Sequence, residues 1–582
     1  MRKASLQGNT KTLSSVWKYQ NKRSKPYTYK MILSIWIITM VIFEYFTFRY
    51  GVLPTYYAGH PYYSMLIILN QLFVGIFFYF GILHFVFPVV YQREKQDVIA
   101  YENNVLSTAL QDNFYPKVLL LYTTYNDFLP YAADQCFQQT YTNCQSVILD
   151  NSTDNYYINK VRRYVQLHSN VQLIHDVNNR YAKAGNLNHF LCHELHDDYD
   201  YFVILDADEL LEKEFVEKTL KFFQFAQQHE QRQLGIVQAN HISGQNLNEF
   251  QSLFSSSGNS FWPVQNTVRS MFSGTLSKDN NGEVIQVSKG DCVDIELGHG
   301  TIVSKECFEA VGQIPQAVAE DLCFSVEALF KGFNIQFVHQ IYGNEAFPIN
   351  QAALMTRSAK FSSANFEFMK LYGKKIWQTK VLSKTQKLDL LSFVLSDILF
   401  ALEYLSLTLS SIVFPLAHVH TGMQTFFLIP TLIVYFSQSI ADGWFQKLSG
   451  WTLWKVIKYE CLAAFLYGGM YYITVKAAFL SLFGVSAKFR TTPKKHNKIT
   501  FLDAFKANFS GIIFSLSTII IVLFCSGSSW ILLSFVPGVI GFLVYSLANK
   551  STYSNRKAHV IIENGNYNAL TSLQGEIVPW DI

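Results

Sequence analysis

The sequence predicts an α/β domain on a mostly parallel sheet flanked by helices, inserted in a polytopic α-helical membrane domain. Three observations carry this. Residues 31–91 and 388–548 are apolar, whereas 92–380 have the composition of an ordinary soluble domain. The whole-chain charged fraction of 15%, against about 25% in soluble proteins, is therefore a local deficit. Within the polar stretch, short β-rich runs alternate with helix-compatible ones, the pattern of a parallel sheet covered by helices.

Residues 1–30 carry Arg2, Lys3, Lys11, Lys18, Lys22, Arg23, Lys25 and Lys30 and no acid. This basic tail is expected in the cytoplasm, with anionic lipid as its partner. Met31–Phe48 and Ser64–Tyr91 are each long enough to span and form an N-terminal hairpin over 31–91. The first reads as an anchor, because a long polar tail precedes it and no small-residue cleavage site follows. Gly51–Tyr63 lacks Lys and Arg and belongs outside; Gln92–Lys95 returns the chain to the cytoplasm. The net charge of +4 points to no nucleic-acid partner. Eight cysteines without a close C-x-x-C pair fit a reduced setting with no zinc site.

In 92–380, Val118–Tyr122, Ser146–Leu149, Val171–His175 and Tyr201–Leu205 are expected strands. Glu212–His229 is an expected helix, with Val216, Leu220, Phe223 and Ala226 near one face. In 388–548, Leu388–Pro415 and Gln424–Ile440 form one expected hairpin, Ser510–Cys525 and Ser529–Leu547 another. Trp454–Phe483 lies between loops rich in Lys and Arg on both sides, so it is expected to lie along the cytoplasmic interface. That makes about six spans, followed by a polar tail over 549–582. Asp389, Asp397 and Glu403 recur in the first of these spans, where acids bond to neighbouring helices or line a polar passage.

The chemistry gathers at strand ends. Tyr201–Leu205 runs into Asp206-Ala-Asp208, which places two carboxylates at the C-terminal edge of a buried strand, where open α/β sheets hold ligands. Hard oxygen ligands there suit Mg²⁺ or Mn²⁺. Tyr125-Asn-Asp127 follows the first strand, Asp150-Asn-Ser-Thr-Asp154 the second, and Lys183-Ala-Gly185-Asn186 the third. Gly298-His299-Gly300 and Ala319-Glu320-Asp321-Leu322 come later.

These elements, in kind, order and spacing, resemble membrane-integrated glycosyltransferases of family 2, the group of bacterial cellulose, hyaluronan and chitin synthases. Phe489-Arg-Thr-Thr492-Pro-Lys494 is similar to the gating loop of that family, within 484–509. The resemblance implies a GT-A fold over 92–380 and inverting transfer from a UDP-sugar to a glycan acceptor. The product would be an exopolysaccharide or capsule, exported across the plasma membrane from a cytoplasmic catalytic domain. Accessory export subunits stay unspecified.

The resemblance further implies that Tyr125 and Asp150 line the nucleoside pocket and Lys183 reaches phosphate oxygens. Asp206 would contact the nucleotide and Asp208 would ligate the metal. Asp321 would be the general base, with Asn186, His299, Glu320, Arg357, Phe489, Thr492 and Lys494 also binding substrate. Structural alternatives stay open for some of these. Asp150 could start an Asx turn, Glu320 and Asp321 could be helix N-terminal charges, and His299 could be a structural histidine. One departure stands out. Processive members carry Gln-x-x-Arg-Trp; here Leu354 and Ser358 flank Arg357 in place of the Gln and Trp. This leaves room for a non-processive enzyme adding one or few sugars to a lipid or surface polymer. A scaffold or transporter with a degenerate domain is disfavoured because the carboxylates are all present.

Overall fold

The protein is described from a computed structural model. It covers residues 25–177, 182–195, 198–230, 232–244, 247–416, 424–485, 498–526 and 535–550, together with Tyr19 and Arg23. Phe489, Thr492 and Lys494 lie outside the described residues, as does the side chain of Asp397.

Helix α1 (Thr28–Thr47) packs on α2 (Pro61–Ser107), as the expected N-terminal hairpin requires. Helix α2 is far longer than the span read from the sequence. Its 47 residues extend for ~70 Å, so about half of it projects into the aqueous domain. There Glu102 is buried and accepts the His339 and Gln340 amides at 2.9 and 3.0 Å. One continuous helix, with Pro88 inside it, thus ties the apolar N-terminal hairpin to the sheet.

Strands β1 (Val118–Thr124), β2 (Cys144–Asp150), β3 (Val171–His175) and β4 (Tyr201–Leu205) are the four expected ones. With β5 (Leu210–Leu211), β6 (Leu234–Ser243), β9 (Thr301–Ser304) and β10 (Asn334–Glu345) they form an eight-stranded sheet of order β3-β2-β1-β4-β9-β6-β10-β5. A separate hairpin pairs β7 (Thr275–Lys278) with β8 (Val284–Ser288). Most neighbours are parallel; β9 runs antiparallel to both β4 and β6. Every residue of β1 is buried, as a strand covered on both faces requires. The register aligns the C-terminal edges: Thr124 pairs with Asp150, Asp150 with His175, and Tyr122 with Leu205. This alignment is what gathers the loops after β1, β2, β3 and β4 at one edge.

Helix α3 (Ala182–His189) carries Lys183 and Asn186. The expected helix over 212–229 is α4 (Phe215–Phe225), and Val216, Leu220, Phe223 and Ala226 are all buried. Helices α5 (Glu249–Met271), α6 (Glu320–Phe330) and α7 (Gln351–Gln378) complete the domain.

Helix α8 (Lys384–Leu395) begins the C-terminal region. Its Asp389 belongs to the interior of the protein. It is buried, 3.2 Å from Arg269 of α5, and accepts the Tyr29 hydroxyl at 2.7 Å. Removing one partner of a buried pair costs about 3–5 kcal/mol, so this contact ties α5 of the sheet domain to α1 and α8. The straight span expected over 388–415 is instead bent by 73° where α8 meets α9 (Leu399–Thr408). Then follow α10 (Gln424–Leu448), α11 (Leu453–Tyr467), α12 (Met470–Leu482) and α13 (Phe501–Ser526). The arm expected over 529–547 holds only a short apolar stretch, Val536–Ala548, among its described residues.

Among the described residues, four helices are long and apolar enough to cross a membrane: Thr28–Tyr57, Pro61–Ser107, Leu453–Leu482 and Phe501–Cys525, or five with the bent pair. Composition therefore makes Leu453–Leu482 a candidate span, whereas its flanking charges favour the interface. Single cysteines near Lys447 and Lys494 decide this. Both are expected to resist a membrane-impermeant thiol reagent on intact cells; labelling of either would make the segment a span.

Candidate active site

The loops after β1 and β2 brace each other. Asn126, at φ +56°, accepts the Thr153 and Asp154 amides through Oδ1 at 3.0 and 2.9 Å. Asp127 Oδ1 accepts the Tyr125 amide at 2.9 Å. Tyr125 is thereby held on the cavity wall. Asp150 is placed differently from the expectation. It is 1% exposed, outside the cavity lining, with Oδ1 accepting the Ser152 amide at 2.9 Å and Oδ2 at 2.8 Å from His175 Nδ1. The Asx-turn alternative is thus the geometry found, and its neighbour Asn151 lines the cavity instead.

A cavity of about 1060 Å³ opens along the strand edge. Tyr125, Lys183, Asn186, Asp206, Asp208, His299, Glu320, Asp321 and Arg357 all line it. The Asp206–Asp208 turn is anchored from below, where the Tyr122 hydroxyl donates to Ala207 O and Thr123 Oγ1 to Leu205 O. Lys183 Nζ donates to Asp206 and, at 2.6 Å, to Gly298 O. Burial opposes the Lys183 charge, but Asp206, Glu320 and Glu296 more than restore it, and its pKa is raised. Asn186 Oδ1 is buried with no hydrogen-bond partner, an acceptor left for a ligand.

His299 sits between two glycines with positive φ, Gly298 at +91° and Gly300 at +56°. A Cβ on Gly300 would stand 2.5 Å from Glu209 Oε1 and 3.0 Å from His241 Nε2, so this turn needs glycine for space as well as conformation. The His299 ring stacks on His241, centroids 4.0 Å apart and planes 10° apart. Its nitrogens face two acids, Glu209 at 3.4 Å and Glu345 at 3.3 Å. Burial disfavours its charge, but Glu209 and Asp206 overcome that and push the His299 pKa well up. His241 goes the other way, to about 3, because it is buried beside that charge. Despite burial, the His299 hydrogen bond and the Arg357 charge hold Glu345 low. Basic and acidic side chains therefore alternate from Arg357 through Glu345 and His299 to Glu209, whose pKa burial raises.

Three acids face this string. Burial raises Asp321, while the Leu322 amide, Lys360 and Lys183 pull it partly back. Burial and then Asp321 raise Glu320. Glu296 is raised well above the usual range by burial and Asp321. Sequence reasoning missed Glu296, Lys360, Glu345, His241 and Glu209. The last had a signal: it directly follows Asp208.

Two donor sets could hold a divalent ion. Asp208 presents a hard carboxylate at the strand edge. The ligand atoms of Glu209, His241 and His299 lie within 4.8 Å of one another. Glu209 Oε1 and His299 Nδ1 face each other at 3.4 Å, and among the described residues neither has a hydrogen bond of good geometry, so either a shared proton or an ion fits between them. An imidazole in the set favours Mn²⁺ over Mg²⁺. The two states of His299 are exclusive. Protonated, it neutralises Glu209 itself; an ion there would displace that proton.

Residues 120–231 match the profile of Glycosyl transferase family 2, and 201–438 match that of Glycosyl transferase family group 2. The chain is a glycosyltransferase with family 2 domains. The transferase domain has the GT-A arrangement, its mostly parallel sheet flanked by helices. No curated protein matches the chain. Among solved structures, the mannosyltransferase PcManGT from Pyrobaculum calidifontis, in complex with GDP-Man and Mn²⁺, aligns at TM-score 0.42 and 17% identity, covering 71% of this chain and 99% of that one. S. aureus TarS aligns at TM-score 0.31 and 13% identity, covering 56% and 54%.

Proposed function

We propose that this transferase moves a sugar from a UDP-sugar, UDP-glucose or a related UDP-hexose, to a growing β-linked polysaccharide, and passes the product across the plasma membrane. The observation that supports it is the extent of the cavity. It runs from Asp206 and Asp208, past Asp321, to Phe400 and Glu403 of α9 and Asp442 of α10. In this reading the catalytic domain is cytoplasmic.

The acceptor hydroxyl attacks the anomeric carbon from the face opposite UDP. Asp321 takes the hydroxyl proton, and the bond from the anomeric carbon to the β-phosphate oxygen breaks. One base with in-line attack inverts the centre, so an α-linked donor gives a β-glycoside. Lys183 neutralises diphosphate oxygens as a point charge, and Arg357 supports it. Tyr125 and Asn151 flank the base, with Asp150 holding their loop. Asp208 would hold Mg²⁺ or Mn²⁺, which would offset charge building on the leaving nucleotide.

Detergent-purified protein incubated with UDP- and GDP-sugars and either ion tests this by nucleotide release and product length. Release only from UDP-sugars with long products is expected. Products of one or few sugars would support the second reading, which Ser358 in place of the usual Trp favours.

The raised Asp321 pKa sets a pH dependence. A base works ionised, so kcat/KM falls as pH drops through that pKa, beginning above the range of an ordinary aspartate. Lys360 holds this pKa down. Lys360→Met is therefore expected to shift the acidic limb to higher pH. A limb that stays put or moves lower would remove Asp321 as the titrating base.

A further inference from the structure

The two ends of the cavity differ in charge. Lys183 of α3 and Arg357 and Lys360 of α7 line the part that the transferase domain builds. The membrane-side end is lined from α2, α5, α8, α9, α10 and α11, and among its described residues there is no Lys or Arg, whereas Glu403 and Asp442 are both present. One face of α5 forms its wall. Phe254, Ser257, Gly258, Phe261 and Trp262 line the cavity at spacings i, i+3, i+4, i+7 and i+8, a single helical stripe. Asp442 is fixed against that stripe, accepting Ser257 Oγ at 2.7 Å and Ser260 Oγ at 3.1 Å. Trp262 is half-buried and oriented by Phe261, with centroids 5.5 Å apart, and by Phe393 at 6.1 Å. Ser358 lines the same cavity and offers no ring.

We propose that Trp262 is the platform on which the acceptor stacks, and that the acceptor is an uncharged oligosaccharide whose hydroxyls donate to Asp442. This rests on the transferase reading above. A pyranose has an apolar face that suits an aromatic body and hydroxyls that suit a nearby carboxylate. An acceptor carrying phosphate or carboxylate would meet the carboxyl groups of Glu403 and Asp442, and none of the described cavity residues on α9, α10 and α11 is Lys or Arg, so its charge would lose water without a partner from those helices.

The test uses the full-length chain in detergent at saturating UDP-sugar. Three acceptors are compared: a neutral oligosaccharide, a uronate-bearing one of the same length, and a short-chain prenyl phosphate. The neutral acceptor is expected to have a KM at least tenfold below either anion. Trp262→Ala is expected to raise that KM at least tenfold while donor KM stays within twofold, and Trp262→Phe to restore most of the loss. Asp442→Asn is expected to narrow the gap between neutral and anionic acceptors. Preference for either anion overturns the proposal. So does a Trp262→Ala enzyme with the wild-type acceptor KM, or one in which donor and acceptor KM rise together, the mark of a merely structural role. A wild type that releases nucleotide from no sugar donor overturns the transferase reading itself, a separate result.

Discussion

Asp321→Asn is expected to lower turnover at least ~10²-fold, the usual worth of a general base, while UDP-sugar binding survives. Asparagine keeps the size of the side chain, and its Oδ1 can still accept the Leu322 amide now bonded at 2.8 Å. The first turn of α6 therefore persists and the loss reports chemistry rather than folding. The side chain also packs against the Gly-His-Gly turn: a Cβ on Gly298 would lie 3.2 Å from Asp321 Oδ2. Single-turnover rates alongside equilibrium donor binding separate the possibilities. Lost donor binding would make Asp321 a donor residue. Turnover within tenfold of wild type would pass the base role to Glu320 or Glu296, which share its cavity.

The gathering of residues at the sheet edge was legible in the sequence because it is local. Each of Tyr125, Lys183 and Asp206 lies within a few residues of a strand or helix boundary that hydrophobic runs delimit, and a parallel sheet brings those boundaries to one edge. The rest of the site was not legible because it depends on partners far apart in the chain. His299 reads as a lone histidine until β6 and β10 bring His241 and Glu345 beside it. Asp389 reads as one of three acids in an apolar run until Arg269, 120 residues away, pairs with it. Asp150 shows the reverse. Its motif matched the resemblance, but the adjacent Ser152 amide and the His175 ring occupy both of its oxygens. Local hydrogen bonding thus fixes the Asp150 side chain in an Asx turn. Helices apolar enough to cross a membrane were legible as apolar runs at Thr28–Tyr57, Pro61–Ser107 and Phe501–Cys525, but not the 73° bend between α8 and α9, since no Pro or Gly marks it.

Asp208→Asn is expected to reduce transfer by ~10³-fold or more, because a bound ion contributes several kcal/mol of charge stabilisation at the leaving nucleotide. An amide keeps the shape of the turn but loses the negative charge that a hard cation requires. Thermal unfolding should therefore remain close to wild type while Mn²⁺ binding weakens, and EDTA should stop the wild-type enzyme. A companion substitution divides the two donor sets. Glu209→Gln removes charge from the buried Glu209, His241 and His299 group but leaves Asp208 intact. If Asp208 holds the ion, Glu209→Gln changes metal affinity far less than Asp208→Asn does. If the ion instead sits between Glu209 and the histidines, that order reverses, because the lost charge is then a direct ligand. Near wild-type transfer by Asp208→Asn would refute the assignment of the metal to Asp208, whatever the behaviour of Glu209→Gln.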